Sequence, residues 1–198
     1  MHLEKLNNFV VPFFTLTLFT KYYLDKGKDS IFYLSFFFCL AGDLMVMSDD
    51  KYYFLSGLMA YWGASILFYF ALSSEIEEPI GNVIKRAERG WPIVLYAIYF
   101  VLLMIFIKPS LGELFVPICI YALTLSFSCA LGIVTYLEVR TRATAYFCVA
   151  LILLSFAATF IGLNRFYFDH LDYYVLETFF YLPTLYLIFL YFESKISS

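Results

Sequence analysis

Seven long apolar segments most constrain what this chain can fold into. A helix rises about 1.5 Å per residue, so roughly 20 apolar residues cross the roughly 30 Å hydrocarbon layer of a membrane. The segments cover residues 6–23, 31–47, 52–72, 92–107, 114–137, 145–163 and 173–192. They are too continuous for the alternating strands of a membrane barrel, and in lipid a helix satisfies its own backbone hydrogen bonds. We therefore predict an all-α polytopic transmembrane helix bundle with about seven spans.

The composition points the same way. The chain is 63% hydrophobic and only 15% charged, whereas soluble domains are about 45–50% apolar and about 25% charged. No linker-like stretch separates two halves, so residues 1–198 are predicted to form a single integral membrane domain. The first apolar segment lacks a small-residue cleavage site, and we expect it to remain as an anchor.

Positive charges in the short loops predict an orientation. Nine lysine and arginine residues fall on one side of the predicted spans and four on the other. Because positively charged loops stay on the cytoplasmic side, we expect an outside N-terminus and a cytoplasmic C-terminus, in a bacterial cytoplasmic (inner) membrane. The loop at 73–92 is predicted to be a solvated surface segment. The alternative is a short interfacial helix at 82–89 whose basic residues meet anionic headgroups.

Several kinds of function lack their sequence signals. The two histidines, His2 and His170, lie near segment ends, and the four cysteines lie singly in apolar segments, so neither a metal site nor a cofactor is expected. There is no phosphate-binding glycine loop, no serine-hydrolase elbow and no basic stripe for nucleic acid. The sequence leaves the oligomeric state open.

One carboxylate lies inside an apolar segment. Asp43 follows Ser35, Cys39 and Gly42 at helical spacings that place all four on one face, so it is predicted to point into the bundle. An ionised aspartate at membrane depth costs at least about 2.5–3.5 kcal/mol, which makes it a candidate for function. A purely structural hydrogen-bonding role is the alternative.

A second carboxylate, Glu177, is predicted to enter the membrane near the outer end of the last segment, on the same face as Tyr181. If the second and last segments are neighbours, Asp43 and Glu177 line one outward-opening pocket, with Asn164 and Arg165 at its outer end. A protonated carboxyl group beside a carboxylate suits general acid–base catalysis, so both acids are predicted to be catalytic. The alternative for Glu177 is an interfacial residue in contact with water.

Two parts of the sequence resemble the YhhN family of lysoplasmalogenases. The first is FYLSFFFCLAGDLMVM followed by YYFLSGLMAYWGASILFYFAL. It matches the family's apolar run ending in Gly-Asp and the Phe-x-x-Gly-Leu-x-Ala-aromatic motif that follows. The second, RATAYFCVALILLSFAATFIGLNRF, resembles a later family helix that ends near Asn-Lys/Arg-Phe. The matching residues are Gly42, Asp43, Phe54, Gly57, Leu58, Ala60, Tyr61, Asn164, Arg165 and Phe166.

The resemblance implies cleavage of the vinyl ether bond of lysoplasmalogens to an aldehyde and a glycerophospho-headgroup, with Asp43 as the acid or as the group that stabilises the cation. The chain departs from the family pattern at Ser65, where members often have histidine. It also departs at 155–158, where Ser-Asp is usual and this chain has Ser155 but no acid. The resemblance implies a membrane lipid or lysolipid as the partner. The candidate substrate-binding residues are Ser65, Ser155, Thr159, Asn164, Arg165 and Tyr181.

These departures keep a second class of function open. The chain can equally be a non-catalytic descendant that binds lipid or stabilises a complex after losing part of the family site. A small transporter would instead predict internal repeats or helices broken at the midplane, and the sequence gives little sign of either.

Overall fold

The fold was analysed in a computed structural model, which describes residues 2–46, 48, 50–168 and 171–196. Met47, at the end of the second predicted segment, and His170 lie outside the described residues. The helices are α1 (His2–Leu24), α2 (Ser30–Val46), α3 (Lys51–Ser73), α4 (Ile80–Lys85), α5 (Ala87–Leu111), α6 (Phe115–Val139), α7 (Arg142–Leu163) and α8 (Leu171–Ser194). Residues 112–114 form a 3₁₀ turn and residues 164–168 a π-helical turn. The described residues contain no strand, so the all-α prediction is confirmed.

Seven of these helices correspond to the seven predicted segments, and α4 is the short additional one. Four helical runs are long and apolar enough to cross a membrane: Lys51–Ser73, Glu88–Val139, Arg142–Tyr167 and Val175–Ser194. The run of 52 residues holds both α5 and α6, which meet at Gly112, where φ is +52°. The shorter apolar helices Phe9–Leu24 and Ser30–Val46 come from α1 and α2. The chain is therefore an integral membrane protein, and the prediction of about seven spans agrees with these helices.

Six of the helices form a closed ring in which each packs against two others. The order around the ring is α1, α2, α3, α6, α7 and α8, and α8 returns to α1. Helix α5 packs against α6 and, less extensively, against α7. Two results matter for the site: α1 lies beside both α2 and α8, and α3 lies between α2 and α6.

Small residues bring α2 and α3 into close contact. A Cβ atom added at Gly57 would lie 2.7 Å from a methyl carbon of Val46, so only glycine fits at this crossing. Hydroxyl groups join the next pair of helices, since Ser128 Oγ of α6 donates to the Ser65 carbonyl of α3 at 3.2 Å. These contacts match the expectation that transmembrane helices approach through small residues and link through hydroxyls.

The loop after α3 does not contain the continuous helix at 82–89 that was the alternative to a solvated surface segment. Helix α4 ends at Lys85, and Arg86, in an extended conformation, separates it from α5. Arg86 donates to Glu78 at 2.6 Å and to Glu138 at 3.0 Å, and Arg89 donates to Glu138 at 3.2 Å. The negative charges of Glu78 and Glu138 raise the pKa of the Arg86 guanidinium. Arg86 and Arg89 therefore bind carboxylates of the loop before α4 and of the end of α6, which leaves them fewer donors for lipid headgroups.

Candidate active site

Asp43 lies inside the helix bundle, near the end of α2. Its side chain is only 4% exposed, and Ser35, Cys39 and Gly42 on the same face are also buried. The prediction that Asp43 points into the bundle is confirmed. Among the described side chains, no lysine or arginine lies within ion-pair distance of its carboxyl group. The carboxyl group is therefore held by neutral partners.

Those partners are three hydroxyl groups from three helices. Tyr61 of α3 donates to Asp43 Oδ1 at 2.7 Å, and Tyr181 of α8 donates to the same oxygen at 2.8 Å. Thr15 of α1 lies 3.0 Å from Asp43 Oδ2. A buried carboxyl group is tolerated when hydrogen bonds replace its lost water, and three hydroxyl groups provide them. One residue of α2 thus links the helices on three sides of it.

The bonding of Thr15 bears on the proton of Asp43. Thr15 Oγ1 lies 3.0 Å from the Val11 carbonyl as well as 3.0 Å from Asp43 Oδ2. A hydroxyl group has one hydrogen, and a carbonyl oxygen can only accept. Both contacts are full hydrogen bonds when Thr15 donates to Val11 and a protonated Asp43 donates to Thr15. The geometry therefore accommodates a proton on the Asp43 carboxyl group.

Gly42 makes room for the ring that reaches Asp43. A Cβ atom at position 42 would lie 2.7 Å from Tyr61 Cε1, inside the closest normal approach. The Tyr61 ring also meets the Tyr181 ring edge-on, with centroids 6.2 Å apart. The adjacent Gly42 and Asp43 thus act together, since the first admits the Tyr61 ring and the second accepts a hydrogen bond from its hydroxyl.

We expect Gly42→Ala to destabilise the protein by about 1–3 kcal/mol, the usual cost of overpacking a core. The matched control is Gly63→Ala, because Gly63 faces Phe38 across the same α2–α3 contact and its added Cβ would lie at an ordinary 3.4 Å. Thermal unfolding of the purified proteins in detergent measures both effects. Equal melting temperatures for the two variants would contradict the packing role of Gly42.

Tyr61 also lines a cavity, which lies between α3, α5, α6 and α7. Its lining is mainly apolar, and none of the described residues contributes a charged side chain to it. The polar lining residues are Tyr61, Tyr99, Tyr121, Ser126 and Thr159. Its free volume is about 60 Å³, and one water molecule needs about 10–15 Å³. The cavity can therefore hold several water molecules or part of an apolar chain.

The far wall of this cavity has a second polar group. The Tyr99 hydroxyl of α5 donates to the Ser155 carbonyl at 3.1 Å and is hydrogen-bonded to the Thr159 hydroxyl. Ser155 Oγ donates to the Ile152 carbonyl at 2.7 Å. The predicted residues Ser155 and Thr159 thus come together around Tyr99, and Thr159 itself lines the cavity.

Glu177 lies one helical turn before Tyr181 on α8 and is partly buried. It is close enough to Asp43 for their charges to interact. Among the described side chains, however, none donates a hydrogen bond to it. Tyr181 rather than Glu177 makes the hydrogen bond to Asp43, and neither acid lines the cavity beside Tyr61, so a pocket with both acids in its wall stays a prediction.

The other predicted residues are more dispersed. Ser65 is buried and donates to the Tyr61 carbonyl at 2.9 Å, one turn along α3. Asn164, also buried, begins the π-helical turn, and the Arg165 guanidinium lies 5.1 Å from the Phe54 ring centroid. Phe54 lines the cavity, so Arg165 borders the cavity without lining it. The structure thus does not gather all the predicted residues around one centre.

The sequence did not identify four residues as part of the site: Thr15, Tyr61, Tyr99 and Tyr121. Tyr61 matches the family motif as an aromatic residue, which was the available signal. Thr15 is one of three threonines in α1, and the spacing of the three alone does not tell which faces inward. Tyr99 and Tyr121 are two of eighteen tyrosines in an aromatic-rich chain.

Fold and site together define a class: polytopic membrane helix bundles with one carboxyl group buried among hydroxyl groups beside an apolar cavity. Within the described residues no cluster of histidine, cysteine, aspartate and glutamate suits a metal ion. The chain belongs to the YhhN family, whose model matches residues 7–191, nearly the whole length. Neither a curated protein nor a solved structure matches the chain. The resemblance found in the sequence is thereby confirmed at the level of the family.

Proposed function

We propose that this protein is a lysoplasmalogenase-like hydrolase that cleaves the vinyl ether bond of lysolipids within the membrane, with Asp43 as the source of the proton. The observation that supports the proposal most is the buried Asp43 carboxyl group, which is bonded to Tyr61, a residue in the wall of an apolar cavity. Membership of the YhhN family supports the same class of reaction. A cavity lined by apolar side chains with a few polar groups suits a lipid chain.

The reaction begins with a proton that originates on Asp43. The electrons of the vinyl double bond form a new C–H bond, and the positive charge forms on the carbon attached to the ether oxygen. The Asp43 carboxylate left behind stabilises this cation, as electrostatic stabilisation of developing charge requires. Water adds to the cation and returns a proton to Asp43. The resulting hemiacetal breaks its bond to the glycerol oxygen, releasing an aldehyde and a glycerophospho-headgroup.

The orientation is part of the proposal. Nine basic residues on one side against four on the other support a cytoplasmic C-terminus and an outside N-terminus, in a bacterial cytoplasmic membrane. Asp43 lies near the end of α2, and the cavity residue Phe54 lies near the start of α3. In this orientation the site occupies the outer half of the bundle, where a lysolipid of the outer leaflet can reach it.

A non-catalytic lipid-binding protein is the second candidate. Two observations favour it: Glu177 makes no hydrogen bond to Asp43 within the described residues, and no carboxylate lines the cavity. In this alternative the bonds to Asp43 hold α1, α3 and α8 around α2 and have no chemical role.

The experiment that tests the proposal uses two lysolipids that differ in one bond. The purified protein is incubated with a lysoplasmalogen and with the saturated alkyl ether lysolipid of the same chain and headgroup. We expect aldehyde release from the vinyl ether alone, because only its double bond accepts a proton to give a stabilised cation. Absence of aldehyde from either lipid, with retained binding of both, would favour the non-catalytic alternative.

A further inference from the structure

We propose that Tyr61 relays the proton between Asp43 and a substrate in the cavity. The inference rests on the proposed function and assigns a step to a residue beyond Asp43. Asp43 is not among the residues that line the cavity, whereas Tyr61 both lines it and bonds to Asp43 Oδ1 at 2.7 Å. Of the three hydroxyl groups around Asp43, only that of Tyr61 belongs to a cavity-lining residue.

The position of Tyr61 is fixed by its surroundings. Gly42 leaves the space that the ring fills, and the Tyr181 ring packs edge-on against it. A ring held on both sides keeps its hydroxyl oxygen at a constant place beside the Asp43 carboxyl group, in a residue that lines the cavity. Such fixed geometry is what proton transfer between positioned groups needs.

The proton transfer leaves Tyr61 chemically unchanged. For the transfer, the Asp43 proton lies on Oδ1 and Thr15 donates to Oδ2, while the Tyr61 hydroxyl hydrogen turns toward the cavity, so that the Tyr61 oxygen accepts a hydrogen bond from Asp43 Oδ1. The Asp43 proton then moves to the Tyr61 oxygen as the Tyr61 hydrogen moves to the vinyl carbon. Tyr61 ends with one hydrogen, as it began, and Asp43 ends as a carboxylate. Water that adds to the cation restores the Asp43 proton by the reverse path.

Tyr181 provides a matched control. Tyr181 donates to the same oxygen of Asp43 at nearly the same distance, 2.8 Å against 2.7 Å for Tyr61. Unlike Tyr61, it does not line the cavity. Tyr61→Phe and Tyr181→Phe each remove one hydroxyl and keep the ring. If both tyrosines only stabilise the carboxyl group, the two variants must behave alike.

We expect Tyr61→Phe to lower kcat for aldehyde release at least about tenfold more than Tyr181→Phe, with the two melting temperatures within a few degrees of each other. Equal losses of kcat in the two variants would overturn the relay while leaving the hydrolase proposal intact. Absence of aldehyde release by the wild-type protein would instead count against the hydrolase.

A second measurement tests the relay without turnover. Infrared spectroscopy follows exchange of the Asp43 carboxyl hydrogen after transfer to D₂O, with the band assigned by its loss in Asp43→Asn. We expect exchange at least about tenfold slower in Tyr61→Phe than in wild type and unchanged in Tyr181→Phe. Equal exchange in all three proteins, or no protonated-carboxyl band that Asp43→Asn removes, would overturn the proposal.

Discussion

Asp43→Asn is expected to reduce aldehyde release from lysoplasmalogen by about 100- to 10,000-fold, the range that general acid catalysis contributes. The asparagine amide has nearly the shape of the carboxyl group, and its oxygen can still accept hydrogen bonds from Tyr61 and Tyr181. It has no proton to give to the vinyl carbon and no negative charge to stabilise the cation. The rate of aldehyde formation by the purified variant measures the loss.

The control for this substitution is Asp25→Asn. Asp25 lies in an exposed turn after α1, where it pairs with Lys21 at 2.6 Å, and its loss is expected to leave the rate unchanged. Asp43→Asn must also keep a melting temperature close to that of wild type, so that the rate reports on chemistry. A variant that retains more than a tenth of the wild-type rate would remove Asp43 from the reaction.

Asp43→Ala is expected to destabilise the protein by about 2–6 kcal/mol. The hydroxyl groups of Tyr61 and Tyr181 lose their common acceptor in an apolar interior, and each unsatisfied buried group costs about 1–3 kcal/mol. The Thr15 hydroxyl still has a hydrogen-bond acceptor, because the Val11 carbonyl remains. Unfolding of the purified protein in detergent, followed by heat or by denaturant, measures the change.

A triple variant separates this cost from the loss of packing. Adding Tyr61→Phe and Tyr181→Phe to Asp43→Ala removes the two orphaned hydroxyl groups and is expected to recover part of the stability. A triple variant less stable than Asp43→Ala alone would show that the hydroxyl groups have other acceptors. This prediction holds for an active hydrolase and for a non-catalytic protein alike, because it concerns the bonds that hold the helices together.

The sequence predicted the helices and one side of the site well. Apolar run length predicted all seven long helices, because the membrane fixes the length of a span. The spacing of Ser35, Cys39, Gly42 and Asp43 predicted the inward face of α2, since helical periodicity decides which residues share a face. Helical spacing along α8 also placed Tyr181 on the face that contacts Asp43.

What the sequence could not predict were the contacts between helices. All three threonines of α1 bond to carbonyls of their own helix, and nothing in the sequence shows that Thr15, rather than Thr17 or Thr20, also contacts Asp43. The choice of Tyr181 over Glu177 as the partner of Asp43 depends on the position of α8 along its axis relative to α2, because the two residues lie one turn apart on the same face. The cavity depends on how far α5 stands from α3 and α7, which side-chain volumes decide jointly.

The three hydroxyl partners of Asp43 also differ in when they are synthesised. Thr15 precedes Asp43 by 28 residues and Tyr61 follows by 18, whereas Tyr181 follows by 138. At translation rates of about 5–20 residues per second, the last partner emerges roughly 7–28 seconds after the acid. A nascent chain that stops before α8 therefore keeps an incompletely bonded carboxyl group in the bilayer. The bonding around Asp43 is therefore complete only after the last helix has been synthesised.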